Sequence, residues 1–272
     1  MLRPRIIPCL LIHQGGLVKT VGFGQPRYVG DPINAVKIFN EKESDELVVL
    51  DIDATVNGAE PDFKTIAHLA AECRMPLCYG GGIKTAAQAK RIVGLGVEKV
   101  AISSAAVDRP ELIAEISAEV GRQSVVVVVD AKKRALRGGY EVWTHNAKRN
   151  SKMDAIAFAQ QAARQGAGEI VLNSIDRDGK MKGYDLVLAA TLRNAIDVPI
   201  TVLGGAGSLD DIESVIAAVG TVGIAAGSLF VFKGALRAVL INYPAPNVKE
   251  ELVSSAITKR GQGGVARSSR EI

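Results

Sequence analysis

Aromatic residues supply only 4% of this 272-residue chain, and among them is a single tryptophan. A large core must therefore be built from aliphatic side chains. With 47% hydrophobic residues and 28 glycines, the composition favours α/β layering over an all-β sandwich. Charged residues reach 23%, which beside that apolar content excludes a disordered chain. Surface-to-mass scaling lets a chain of this size bury about 73% of its extended surface, enough for one large core. No apolar run reaches the roughly 18–20 residues that span a bilayer. The short apolar stretch at 6–12 lacks the length and small-residue cleavage site of a signal peptide, so the chain reads as cytoplasmic with no membrane partner.

Cysteine is scarce as well. Cys9, Cys73 and Cys78 are an odd number without metal-type spacing, each in an apolar stretch, and read as buried reduced thiols. His13, His68 and His145 show no mutual spacing that suggests a metal site, and nothing in the sequence calls for a cofactor. The net charge of +4 invites a nucleic-acid reading. Half of it lies after Val248, however, and no basic stripe interleaved with aromatics appears, so nucleic acid is not an expected partner.

What is present is alternation. Short apolar runs at 5–12, 46–52, 75–79, 99–102, 124–130, 169–173, 200–203 and 222–225 read as strands. Their near-continuous apolar character, as in the five valines from Val125 to Val129, fits parallel strands buried on both faces. Amphipathic stretches such as 61–72, 85–95, 110–120, 152–165 and 209–219 lie between them. Eight strand–helix units in one α/β chain of this length predict a (βα)8 TIM barrel over 1–243, with an open doubly wound sheet as the alternative. The segment 244–272 is expected to be a flexible polar tail. An internal echo favours the barrel. Leu50-Asp51-Ile52-Asp53, Pro76 and Gly80-Gly81-Gly82 recur as Leu172 to Asp176, Pro199 and Gly204-Gly205-Ala206-Gly207, an offset of about 122 residues that predicts two similar half-barrels.

In such a barrel the chemistry sits at the carboxyl ends of the strands. Gly81 and Gly82 follow the third strand, and Gly204, Gly205 and Gly207 follow the seventh. Ser103 and Ser104 follow the fourth, and Gly227 and Ser228 the eighth. Each cluster alone is as well read as a tight turn. Together, in equivalent half-barrel positions, they suggest two phosphate sites and a substrate phosphorylated at both ends. Asp130, after five valines, is either a cap or an acid/base group. Asp51, Asp53 and Asp178 carry the same ambiguity. At the opposite end Arg5, Glu46, Lys99 and Glu169 begin four strands and would meet near the axis. They form either a salt-bridged plug or a gate for something small entering from below.

These residues together resemble the cyclase subunit of imidazole glycerol phosphate synthase over about Met1 to Phe232. The motifs include Arg-Ile-Ile-Pro-Cys-Leu at 5–10, Gly-Asp-Pro at 30–32, Val-Asp-Ala-Lys at 129–132 and Ser-Ile-Asp-Arg-Asp-Gly at 174–179. The resemblance implies a glutaminase partner docked at the barrel's N-terminal face, forming a heterodimer. Ammonia from it passes through the barrel to a bisphosphate substrate, giving imidazole glycerol phosphate and an aminoimidazole carboxamide nucleotide. It assigns Arg5, Glu46, Lys99 and Glu169 to an ammonia gate, Asp130 to acid/base work, and the glycine and serine loops to phosphate. It places Lys19 in a mobile loop over the substrate.

Three departures stand out. Leu11 occupies the position of a family aspartate, Leu203 that of a serine, and Ser103-Ser104 that of Asn-Thr. With Pro8 to His13 and Asn173-Ser174, they resemble the paralogous branch associated with sugar amidation in bacterial surface polysaccharides. There the barrel supplies ammonia to a separate amidotransferase acting on a nucleotide sugar. A true cyclase of histidine biosynthesis and a silent docking and conduit subunit are the alternatives. Sugar-isomerase relatives, which also need an acidic residue at the end of the first strand, fit less well.

Overall fold

The computed structural model describes residues 3–135 and 138–268. The chain opens with strand β1 (Arg5–His13), an antiparallel hairpin of β2 (Gly16–Val21) and β3 (Gly24–Gly30), and helix α1 (Pro32–Glu41). Next come β4 (Leu47–Asp51), α2 (Phe63–Glu72), β5 (Leu77–Gly80), α3 (Ala86–Gly94), β6 (Lys99–Ile102), α4 (Ser104–Asp108) and α5 (Glu111–Val120). The second half repeats the plan with β7 (Val125–Lys133), a hairpin of β8 (Tyr140–Thr144) and β9 (Arg149–Asp154), and α6 (Ala155–Arg164). It continues through β10 (Glu169–Ser174), α7 (Leu186–Ala195), β11 (Ile200–Leu203), α8 (Leu209–Val219), β12 (Gly223–Ala226) and α9 (Ser228–Val231). A short hairpin, β13 (Phe232–Lys233) with β14 (Ala238–Val239), precedes α10 (Pro246–Ser268).

Among the described residues, eight parallel strands close into a ring in the order β1-β4-β5-β6-β7-β10-β11-β12, with β12 pairing back onto β1. The (βα)8 barrel is therefore the fold, and the open sheet is excluded. Each half opens with a nine-residue strand followed by an antiparallel hairpin, which extends the repeat seen in the sequence. The helices start where side chains cap the first amides. Asp31, Asp62, Asp154 and Asp185 accept from them, and Thr85 and Ser208 form capping boxes.

Strand periodicity of two divides the core. Ile6, Leu10, Leu47 and Val127 face the surrounding helices. Ile7, Cys9, Val48, Cys78, Val126 and Val171 fill the lumen, with Leu11 and Leu50 packed against them. Cys9 and Cys78 are buried free thiols as expected, whereas Cys73 is half-buried at the end of α2. Among the described residues no helix is long and apolar enough to cross a membrane.

The expected flexible tail is instead a helix where it is described. α10 buries Val253 and Ala256 and packs along α8. Lys249 pairs with Asp45 at 2.7 Å, and Lys259 with Glu213 at 2.8 Å. Among its described side chains these are the two buried apolar positions, too few to give a sustained hydrophobic period. Residues 269–272 of that expectation lie outside the described residues. Before the helix, Tyr243 packs on Phe39 and Phe230. Its hydroxyl donates to the Ile6 carbonyl at 2.8 Å and accepts from the Asp45 amide at 3.2 Å. Tyr243→Phe orphans both groups and is expected to cost about 1–3 kcal/mol in urea unfolding. An unchanged unfolding midpoint would contradict this tether.

Candidate active site

The inward-facing rows of the strands have two ends, and each end gathers a distinct group of polar side chains. At the foot of the barrel, Arg5, Glu46, Lys99 and Glu169 meet as the strand starts predicted. Arg5 donates to Glu46 and, at 2.8 Å, to Glu169. The Lys99 ammonium lies 2.8 Å from each of the same two carboxylates. Thr201, on the inward row of β11, adds a hydroxyl donor to Glu169. The result is a closed ring of alternating charge. Burial works against the charge on Lys99 and Arg5, but the two carboxylates outweigh it and hold both above their ordinary values. Burial would likewise raise Glu169, yet Arg5 and Lys99 hold it below the usual range. The ring's contribution to stability is thus lost on the acid side as pH falls through the depressed Glu169 value. On the alkaline side it is lost as pH rises through the elevated Lys99 value.

Above the ring is a narrow gap lined by Ile7, Val48, Cys78, Val126 and Val171. The rows then climb to a cavity of about 150 Å³ at the carboxyl ends of the strands. From Arg5 to Leu11 the climb is six residues, roughly 20 Å of strand.

The cavity contains Asp51, Asp130 and Asp178, and Ser103, Ser104 and Ser228. Gly81, Gly82, Gly204, Gly205 and Gly227 also line it. Gly207 does not line it, because its amide turns away to donate to Asp211 at 2.8 Å as part of the α8 cap. The glycines have a packing reason as well. A Cβ on Gly205 would stand 2.2 Å from the Gly183 carbonyl, and one on Gly81 would stand 2.5 Å from that of Asp51.

The carboxylates differ in kind. Asp51 accepts from the amides of Asp53 and Ala54 at 2.9 and 3.1 Å, a local turn, and burial nonetheless raises its pKa. Asp53 lies outside the cavity and holds His13 and the Gln14 amide, each at 2.7 Å. Asp178 receives Thr20 Oγ1 at 3.1 Å and the Phe23 amide at 3.4 Å, which ties the β2–β3 hairpin across the mouth. Burial raises its pKa too. Asp130 receives Asn173 Nδ2 at 2.9 Å and Ser103 Oγ at 3.1 Å. Burial lifts it to about 6 against those two donors, and Asp178 adds to the rise. A carboxyl that titrates near neutrality in a cleft is suited to acid/base chemistry.

Lys19 is not in a loop. It sits in β2, 6% exposed, and its ammonium donates to the Cys9 carbonyl beside Gly227. Burial holds its pKa below the ordinary lysine value. Leu11, Leu50 and Leu203 make the floor apolar around Asp130.

Several lining residues had no signal in the reading of the motifs. Asn173 stands in register with Asp130 across β7 and β10, a pairing that only the barrel's strand order reveals. His145 and Asn146 come from the β8–β9 turn, where three successive non-glycine residues take positive φ. Asn146 there donates to the Ile52 carbonyl at 2.8 Å, and the His145 amide donates to Ser104 Oγ at 3.3 Å. The mouth is thus bridged from both sides.

Comparison with known proteins agrees with this geometry. The profile of the family described as histidine biosynthesis protein matches residues 5–237. The chain is 55% identical over 251 residues to the provisionally named imidazole glycerol phosphate synthase subunit hisF3 of Vibrio vulnificus, covering 92% of this chain and 96% of that one. It is 51% identical over 247 residues to the provisionally named subunit hisF2 of Pseudomonas aeruginosa, covering 91% and 98%. It is 39% identical over 250 residues to the imidazole glycerol phosphate synthase subunit HisF of Hyphomonas neptunium, covering 90% and 98%. The chain belongs to the histidine biosynthesis protein family, as a HisF-type cyclase subunit of imidazole glycerol phosphate synthase.

Proposed function

We propose that this HisF-type barrel accepts ammonia from a glutaminase docked at its N-terminal face and delivers it for amidation of a nucleotide sugar, with little cyclase turnover of its own. The observation that carries this reading is a contrast along one strand. β1 begins with Arg5 in the complete ion-pair ring and carries Leu11 in the cavity. Ammonia transfer needs the first feature. Cyclisation needs a second acid/base group opposite Asp130, and leucine cannot move a proton. The numbering of the hisF2 and hisF3 relatives, at 51–55% identity against 39% for the HisF of Hyphomonas neptunium, supports a paralogous branch.

In this reading the ring opens transiently to admit ammonia, which moves along the apolar lumen to the cavity in a cytoplasmic complex. The glycine and serine loops hold phosphate groups there, and Lys19 helps cover them. Asp130 is the group there able to exchange a proton with the incoming nitrogen, and the new C–N bond forms on the separate amidotransferase. The alternative of a true histidine-biosynthetic cyclase is supported by the family match, by the HisF relative of Hyphomonas neptunium, and by the Asp130 pKa of about 6 with two positioning donors.

Ammonium at high pH with the bisphosphate substrate separates the two. Little cyclisation is expected, and robust turnover returns the chain to histidine biosynthesis. For the ring, Lys99→Ala leaves Glu46 and Glu169 facing each other with Arg5 as their remaining cation. It is expected to cost about 3–5 kcal/mol in urea unfolding. It should also change glutamine-driven turnover relative to ammonium-driven turnover. An unchanged ratio in a folded variant removes the gate assignment.

A further inference from the structure

Asn173 is 5% exposed and lines the cavity, and its two amide atoms have different circumstances. Nδ2 donates to Asp130 Oδ1 at 2.9 Å. Oδ1 has no hydrogen-bond partner among the described residues. A buried amide carbonyl without a donor is unfavourable, and native proteins keep few of them. The neighbouring wall is also cut back. A Cβ at Gly204 would lie 3.0 Å from Asn173 Oδ1, so glycine there keeps a side chain from crowding that buried oxygen. Asn173 is the top of the inward row that begins at Glu169 in the ring and passes through Val171 in the lumen. Beside it, Leu11 and Leu203 offer neither donors nor acceptors.

We infer that Asn173 is a positioning residue with two tasks: its Nδ2 orients the Asp130 carboxylate, and its Oδ1 accepts an N–H of the small nitrogen nucleophile arriving from the lumen. Two adjacent acceptors, Asp130 and Asn173 Oδ1, match a donor that carries several N–H bonds, as ammonia does. The inference rests on the ammonia-accepting reading of the site. It goes beyond that reading in assigning the docking atom to a residue outside the expected site residues.

The test uses the full chain and two variants. Asn173→Ala removes both tasks, and the near-isosteric Asn173→Asp keeps the acceptor but loses the donor to Asp130. Two NMR readouts need no turnover: the titration of the Asp130 carboxyl carbon and the response of the protein to ammonium chloride. In both variants the Asp130 carboxyl should titrate at higher pH: Asn173→Ala removes a hydrogen bond to its ionised form, and Asn173→Asp adds the repulsion of a second carboxylate to that loss. The other titratable groups around the cavity, Asp51, Asp178, Lys19, Cys9 and His145, stay in place in every variant. Asn173→Ala should weaken the ammonium response about tenfold, the loss of one hydrogen bond. Asn173→Asp should retain the response. Loss of stability with unchanged Asp130 titration and unchanged ammonium response would show a merely structural residue and overturn the inference. Absence of ammonium-dependent turnover in the parent protein bears on the functional reading instead, since neither NMR measurement depends on it.

Discussion

Asp130→Asn is expected to stabilise the protein at pH 8 while lowering ammonium-dependent turnover by about 10²–10⁴-fold, the usual contribution of a positioned acid/base group. Both effects have one cause. Burial raises the Asp130 pKa to about 6, so the folded state holds this proton more tightly than the unfolded chain does. Between about pH 4 and pH 6 the native protein therefore binds the extra proton, and stability declines as pH rises through that window. Above it the ionised carboxylate costs roughly 2–3 kcal/mol. Asparagine has no charge to bury and removes that cost. Urea unfolding at pH 8 and pH 5 checks the claim: the variant should gain at pH 8 and match its parent more closely at pH 5. A variant that is less stable than the parent at both pH values would mean that the donors Asn173 and Ser103 contribute more than burial costs. Because parent turnover is expected to be low, the kinetic half is best read in a Leu11→Asp background.

That background is itself the second large prediction. Leu11 lies in the inward row of β1, pairs with Val18 on β2 and Leu50 on β4, and is half-buried at the cavity floor. Leu11→Asp restores a carboxyl across the lumen from Asp130. It should raise ammonium-dependent cyclisation of the bisphosphate substrate by about 10²-fold, the low end of the range for such a group, since Leu203 remains apolar. The gain has a cost of roughly 1–3 kcal/mol in stability, because an unpaired carboxyl replaces packed methyl groups. A further carboxylate in a cavity that already holds Asp51, Asp130 and Asp178 disfavours their charge, so the acid limb of the rate profile should move to higher pH than in the parent. If substrate binds and turnover does not change, position 11 is not what limits this protein, and the contrast between ring and cavity loses its meaning.

Much of this architecture was readable beforehand, and the reasons differ by element. The barrel strands carry continuous apolar runs because both their faces are covered, one by helices and one by the lumen. The ring was visible because Arg5, Glu46, Lys99 and Glu169 stand at equivalent points of four such runs. The hairpins were not visible. β3 reads Gly-Gln-Pro-Arg-Tyr-Val-Gly and β9 reads Arg-Asn-Ser-Lys-Met-Asp, and both are largely uncovered where they lie against the mouth. With no buried face they have no alternation to detect, so 152–165 reads as one helix although its first residues are strand. The loop expected for Lys19 rests on the resemblance alone, and the polar lysine and threonine of β2 hide a strand that is in fact buried. Asn173 and Thr201 were missed because their partners lie on neighbouring strands, 43 and 32 residues away in the chain. Gly207 shows the converse: a motif glycine whose amide belongs to a helix cap.

The ring at the barrel's foot has a consequence for solvation. Two guanidinium or ammonium groups and two carboxylates sum to no net charge, and each carboxylate is already engaged by both cations. A hydrated cation or anion arriving at this end of the barrel therefore meets no net charge to draw it in and no free ligand to replace its water. A small uncharged solute surrenders far less hydration at the same threshold. In the ammonia-accepting reading proposed above, the foot of this barrel discriminates by the cost of dehydration, admitting the neutral form of a weak base and leaving its conjugate acid in water.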